Sequence, residues 1–176
     1  AEGAVLFLEK LSPALNQIDS SSGALGNATY AAVGEVVPII SSAPVDAALR
    51  MKWLDRLFEA IQEDDPPYIE HLGDHWGDLC ATSELASVWA DQLVPTQRNV
   101  LRDRQRGNYA FFSGTTLCYS ALFKAGRRDE LLELLPELTR VDRLDTPAGD
   151  RCDLGIDLVS ATFEIGDPQV GIGLDA

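Results

Sequence analysis

Trp53-Leu54-Asp55-Arg56-Leu57-Phe58-Glu59-Ala60-Ile61 decides the fold. Its apolar residues recur at i, i+1, i+4, i+5 and i+8, which is one stripe along an amphipathic α-helix. The same rhythm runs through Leu85, Val88, Trp89, Gln92, Leu93 and Thr96, and again through Leu131, Leu132, Leu134, Leu135 and Leu138. No stretch sustains the two-residue alternation of a half-buried strand. The chain is therefore expected to be all-α.

Punctuation divides it into helices over 3–18, 24–42, 46–63, 66–80, 83–105, 110–125, 128–140 and 147–165. Asp65-Pro66-Pro67 and Thr146-Pro147 each offer a capping side chain followed by proline in a first turn. Ser83 is expected to cap the next helix, with Glu84 favourable behind it, and Ser113 or Thr115 to cap the helix that follows. Gly107, Gly126 and Gly166 fall just after helical patterns, where a left-handed residue closes the last turn. Pro13, Pro38, Pro95 and Pro136 lie inside apolar helical patterns and are expected to bend or split their helices. Repeated bending favours antiparallel helix pairs in a short right-handed α-solenoid, with an irregular helical bundle as the alternative. Helix starts about 20 residues apart make a pair of about 40, near the period of HEAT-type arrays.

Two segments carry a resemblance. Leu117-Cys118-Tyr119-Ser120-Ala121-Leu122-Phe123-Lys124-Ala125-Gly126-Arg127-Arg128-Asp129-Glu130-Leu131-Leu132 resembles the centre of a tetratricopeptide hairpin: a helix ends at Ala-Gly and the next opens on an acidic pair. It lacks the usual Trp, Pro and second Ala of that family. Ala14 to Gly23, with its Asp19-Ser20-Ser21-Ser22-Gly23 link, resembles a turn in uncharacterised bacterial helical-repeat proteins. The resemblance implies an α-solenoid and no particular chemistry.

Composition narrows the function. The 176 residues hold 45% hydrophobic and 24% charged side chains, enough apolar material for a single all-helical domain spanning 1–176. Because residue 1 is Ala and not Met, a fragment of a longer helical-repeat protein is the competing expectation. Lys and Arg total 14 against 28 Asp and Glu, a net charge of −14. That sign argues against nucleic acid, whose phosphates need cation clusters, and against anionic membrane surfaces. Cys80, Cys118 and Cys152 show no C-x-x-C spacing, so they read as small buried hydrophobes in a reducing, cytoplasmic setting.

The charge is uneven. Residues 1–97 carry 15 acidic and 4 basic side chains, net −11, whereas 98–176 carry 13 and 10, net −3. Ten carboxylates between Asp55 and Asp91 face the single Arg56, and Arg98, Arg102, Arg104 and Arg106 follow at once. One reading is a solvated acidic face and a helix end that complements its own dipole. The other is a binding surface: Asp55, Glu59 and Glu63 for a basic protein or peptide, with Arg102, Arg106 and Tyr109 as a smaller contact.

Glu70-His71-Leu72-Gly73-Asp74-His75-Trp76-Gly77-Asp78 is the one cluster with ligand chemistry. On an α-helix His71, His75 and Asp78 would project from one side at i, i+4 and i+7 and could hold a divalent metal, with Glu70 or Asp74 as base. The order is not H-E-x-x-H, and histidines at the margin of an apolar stripe commonly sit there without a metal. Gly73 and Gly77 lie together on one flank, where they would let a neighbour approach closely. The expectation is a non-catalytic protein-binding or scaffold module without a cofactor. A metal-dependent enzyme built on His71, His75 and Asp78 is the alternative. Trp53, Trp76 and Trp89, on three consecutive helical patterns, are expected to meet in one core.

Overall fold

The computed structural model describes residues 1–17 and 24–141. Within them lie seven α-helices: α1 (Glu2–Leu15), α2 (Ala24–Ser41), α3 (Ala47–Gln62), α4 (Trp76–Cys80), α5 (Ser83–Gln105), α6 (Thr115–Lys124) and α7 (Arg128–Val141). A 3₁₀ segment, Glu70–His75, leads directly into α4. No strand occurs among the described residues, so the class is all-α. The helix expected over 147–165, together with Cys152 and Gly166, lies outside them.

Local chemistry sets the ends. The Asp46 carboxylate accepts the Leu49 N–H at 2.8 Å and opens α3. Thr82, and not the expected Ser83, caps α5 by accepting the Leu85 N–H at 3.3 Å. Gly107 and Gly126 follow the last turns of α5 and α6 at φ +79° and +73°, as expected of helix-closing glycines. Helices α1, α2 and α5 run on through Pro13, Pro38 and Pro95, so none is split.

Two expected helices are corrected. Residues 66–69 are not helical, and 70–75 take the tighter 3₁₀ path. Pro67 disfavours α geometry in the residue before it. The Asp64 carboxylate accepts the Ile69 N–H at 2.6 Å, which starts the turn from outside the proline pair. Likewise α6 begins at Thr115, not at 110. Gly114 is its N-cap, and neither Ser113 nor Thr115 caps it with a side chain. Instead the Thr115 hydroxyl lies within hydrogen-bond distance of the Gln97 side-chain oxygen (2.9 Å) and the Phe112 carbonyl (2.8 Å).

Helix α1 packs on α2 and α3, α2 and α3 pack on α4, and α6 packs on the 3₁₀ segment, α4, α5 and α7. The expected glycine flank receives α6. A methyl on Gly77 would stand 2.7 Å from the Ser120 carbonyl oxygen, and Gly73 is closed off by Thr116 and Leu117. Ser120 completes the joint, accepting the Gly77 N–H at 2.9 Å while its own hydroxyl donates to the Asp74 carbonyl at 2.9 Å.

All three tryptophans are buried in one continuous core. Trp76 and Trp89 meet edge to face, with ring centres 4.9 Å apart and Phe58 against both. Trp53 turns the other way, toward α1, and donates its indole N–H to Glu2 at 2.5 Å. Arg56 reinforces that joint, binding Glu2 at 2.6 Å and Glu9 at 2.7 Å.

Arg50, on the same buried stripe of α3 as Trp53, Leu54, Leu57 and Ile61, is only 3% exposed. It donates to the carbonyls of Ile40 (2.5 Å), Ala43 (2.7 Å) and Ser41 (3.3 Å) at the end of α2, with a longer contact to Leu79 of α4 at 3.5 Å. One side chain thus ties three helices together.

The glycines separate packing from propensity. Gly77→Ala is expected to lose about 1–3 kcal/mol, since the obstructing atom is backbone and cannot swing aside. Gly34→Ala, in α2 with nothing within 4 Å of the added carbon, is expected to gain about 0.5–1 kcal/mol. Denaturant melts followed by tryptophan fluorescence would measure both.

Candidate protein-binding surface

Because α3 buries Arg50, Trp53, Leu54, Leu57 and Ile61, its opposite face must point outward. Asp55, Glu59 and Glu63 lie on that exposed side, and no ion pair engages them among the described residues. Other members of the acidic run are used by the fold. Asp91 pairs with Arg127 at 2.5 Å, Asp78 with Lys124 at 3.7 Å, and Asp64 caps the Ile69 turn. Arg127 also grips Glu130 at 2.7 Å, and these partners hold its guanidinium above the ordinary arginine value. The ten carboxylates therefore do not form one uniform face.

The basic run divides in the same way. Arg98 binds Glu133 at 3.2 Å and lies 3.7 Å from Glu130, joining α5 to α7. Arg104 donates to the Ala110 carbonyl at 2.7 Å and holds the loop that follows α5. Arg102 and Arg106 are exposed; among the described residues their side chains make a bond to Asn99 at 3.2 Å and a contact with Asp103 at 3.8 Å. Tyr109 is 96% exposed, as its position predicts, and Phe111 is 67% exposed, which the sequence reading did not single out. Phe123 of α6, though it falls at helical spacing from Tyr119, is also exposed. Its helix packs through Leu117, Cys118, Ala121 and Leu122 instead.

Loop 107–114 links the two sets. At one end Arg104 holds Ala110, and at the other Gln62 donates its side-chain amide to the Ser113 hydroxyl at 2.7 Å. Gln62 stands seven residues after Asp55, so it shares the outward face of α3. The exposed aromatic loop is thereby strung between the arginine pair and the carboxylate strip.

The structure does not gather His71, His75 and Asp78 into one ligand set. The i, i+4, i+7 alignment requires α geometry, but a 3₁₀ path stacks i on i+3, so His71 shares its ridge with Asp74. The His71 ring stacks on Tyr30, with centres 4.9 Å apart, and its buried Nε2 has no hydrogen-bond partner among the described residues. His75 and Asp78 line a surface groove of about 370 Å³ beside Gly34, Val37 and Ser41. Among the described residues, no three His, Cys, Asp or Glu side chains are placed to hold a metal.

Cys80 and Cys118 are free and buried, and burial pushes both thiols up to about 12. They behave as hydrophobes, as their spacing suggests. Among the described residues no helix is long and apolar enough to cross a membrane. No protein-family model, curated protein or solved structure matches the chain.

Sequence reasoning missed Arg50, although a signal existed. Arg50, Trp53, Leu54, Leu57 and Ile61 form an i, i+3, i+4, i+7, i+11 series, so a cation stands at the head of an apolar stripe.

Burial lowers the His71 pKa below its ordinary 6.5, against the opposing pull of Asp74 and Asp64. The unfolded imidazole then takes up its proton first, so stability falls as pH drops through 6.5. Burial raises Glu70 and Asp74, which adds stability at lower pH, as the carboxyls protonate in the folded state first. His71→Phe, which retains an aromatic ring against Tyr30, is expected to abolish the loss of stability between pH 7.5 and about 6. Urea midpoints across that range provide the check.

Proposed function

We propose that the chain is a non-catalytic protein-binding module of helical-repeat type that presents the outward face of α3 to a basic protein or peptide. One observation carries this reading. Asp55, Glu59 and Glu63 stand exposed along α3 and its C-cap, with no ion pair among the described residues, while other carboxylates of the acidic run such as Asp91 and Asp64 are engaged in the fold. A row of charges on a rigid helix keeps its spacing, so a partner meets it without ordering it first.

The arrangement of antiparallel helix pairs in a short right-handed solenoid belongs to the same proposal. It is supported by packing chiefly between elements one or two places apart, counting the 3₁₀ segment with α4 as one place. It is also supported by the α6–α7 hairpin, in which Ala125 and left-handed Gly126 end one helix and Asp129 and Glu130 open the next. That is the form the tetratricopeptide resemblance implies.

Titration with a panel of Lys- and Arg-rich peptides, at low and high salt, tests the proposal. Binding is expected to weaken as ionic strength rises. The triple variant Asp55→Lys, Glu59→Lys, Glu63→Lys should lose at least about tenfold in affinity, or about 1.4 kcal/mol. Affinity indifferent to both salt and these substitutions would contradict it.

A further inference from the structure

The surface around loop 107–114 is complementary to itself. On one side stand Arg102 and Arg106, exposed and weakly engaged. On the other is the carboxylate strip of α3, joined to the loop through Gln62 and Ser113. Between them Tyr109 and Phe111 offer two aromatic side chains to solvent. Arginine and aromatic residues are the types most enriched at protein interfaces, and a central aromatic pair rimmed by charge matches their usual anatomy.

We propose that the partner of this surface is a second copy of the chain, docked about a two-fold axis through loop 107–114. Rotation about such an axis sets the arginines of one copy against Asp55 and Glu59 of the other, twice over, and brings the two pairs of aromatic rings to the centre. A two-fold axis suits a patch that carries both signs of charge on a chain whose net charge is −14. Two copies repel in most orientations, and this one places opposite charges together on both sides. The basic patch also explains why the acidic strip need not wait for a foreign cation. The inference rests on the reading of α3 as a docking face and names its occupant.

The test uses the full chain in sedimentation equilibrium. Wild type is expected to form a dimer that weakens as salt is added. Arg102→Glu/Arg106→Glu leaves both patches acidic, and Asp55→Lys/Glu59→Lys leaves both basic, so each variant alone should be monomeric. Their equimolar mixture should associate again as a heterodimer. Tyr109→Ser/Phe111→Ser should weaken the dimer at least tenfold. All six positions are exposed, and unchanged far-ultraviolet circular dichroism would show that each variant folds. A wild type that stays monomeric at millimolar concentration would overturn the proposal, as would variants that still dimerise or a mixture that fails to. A monomer that still binds basic peptides in a salt-dependent way would sink this inference alone and leave the docking reading of α3 intact.

Discussion

Arg50 keeps a full positive charge beneath the surface, and its hydrogen-bond partners are backbone carbonyls instead of carboxylates. A helix end leaves its last carbonyls without intrahelical donors and carries the negative end of the helix dipole. Arg50 supplies donors from the side to the end of α2 and reaches the end of α4, while its guanidinium lies 5.5 Å from the centre of the Trp53 ring. Burial pulls its pKa down from the ordinary arginine value, yet the base stays protonated because an arginine starts so high. Removing the side chain would take a charged donor from three carbonyls at once, and only those of Ile40 and Ala43 have a backbone N–H, from Ala43 and Val45, to fall back on among the described residues.

The outward face of α3 follows from that constraint. Once Arg50, Trp53, Leu54, Leu57 and Ile61 are committed to the interior, helical geometry leaves Asp55, Glu59 and Glu63 on the exposed side. Arg56, between the two faces, fastens α1 through Glu2 and Glu9, which commits the one cation of the acidic stretch to that joint. The burial pattern that stabilises α3 therefore also sets the spacing of its charges.

Much of this was legible beforehand because helical periodicity is a local property. The stripes of α3, α5 and α7 fixed those helices to within a residue or two, and Gly107 and Gly126 close helices as their positions imply. The segment after Pro66-Pro67 was misread, because its apolar spacing fits a 3₁₀ turn followed by a short helix as well as one long helix. That difference changed the neighbour of His71 from His75 to Asp74 and removed the ligand ridge. Gly73 and Gly77 signalled a close approach, but only the folded chain shows that α6 fills it. Tyr109 was legible as a contact residue from its place just after Arg102 and Arg106. The hold of Gln62 on Ser113, across 51 residues, has no local signal at all.

The role of Arg50 is tested most directly by urea unfolding of Arg50→Met at neutral pH, read by tryptophan fluorescence. Methionine keeps much of the length and the apolar stem but supplies no donors. The account predicts a loss of about 2–3 kcal/mol relative to wild type, because the Ser41 carbonyl would lose its charged donor, those of Ile40 and Ala43 would keep only the N–H groups of Ala43 and Val45, and the charged bonds that join α2 to α3 would be gone. An Arg50→Met protein as stable as the parent, or more stable, would show that the cation is tolerated at the junction of α2, α3 and α4 and does not hold it together.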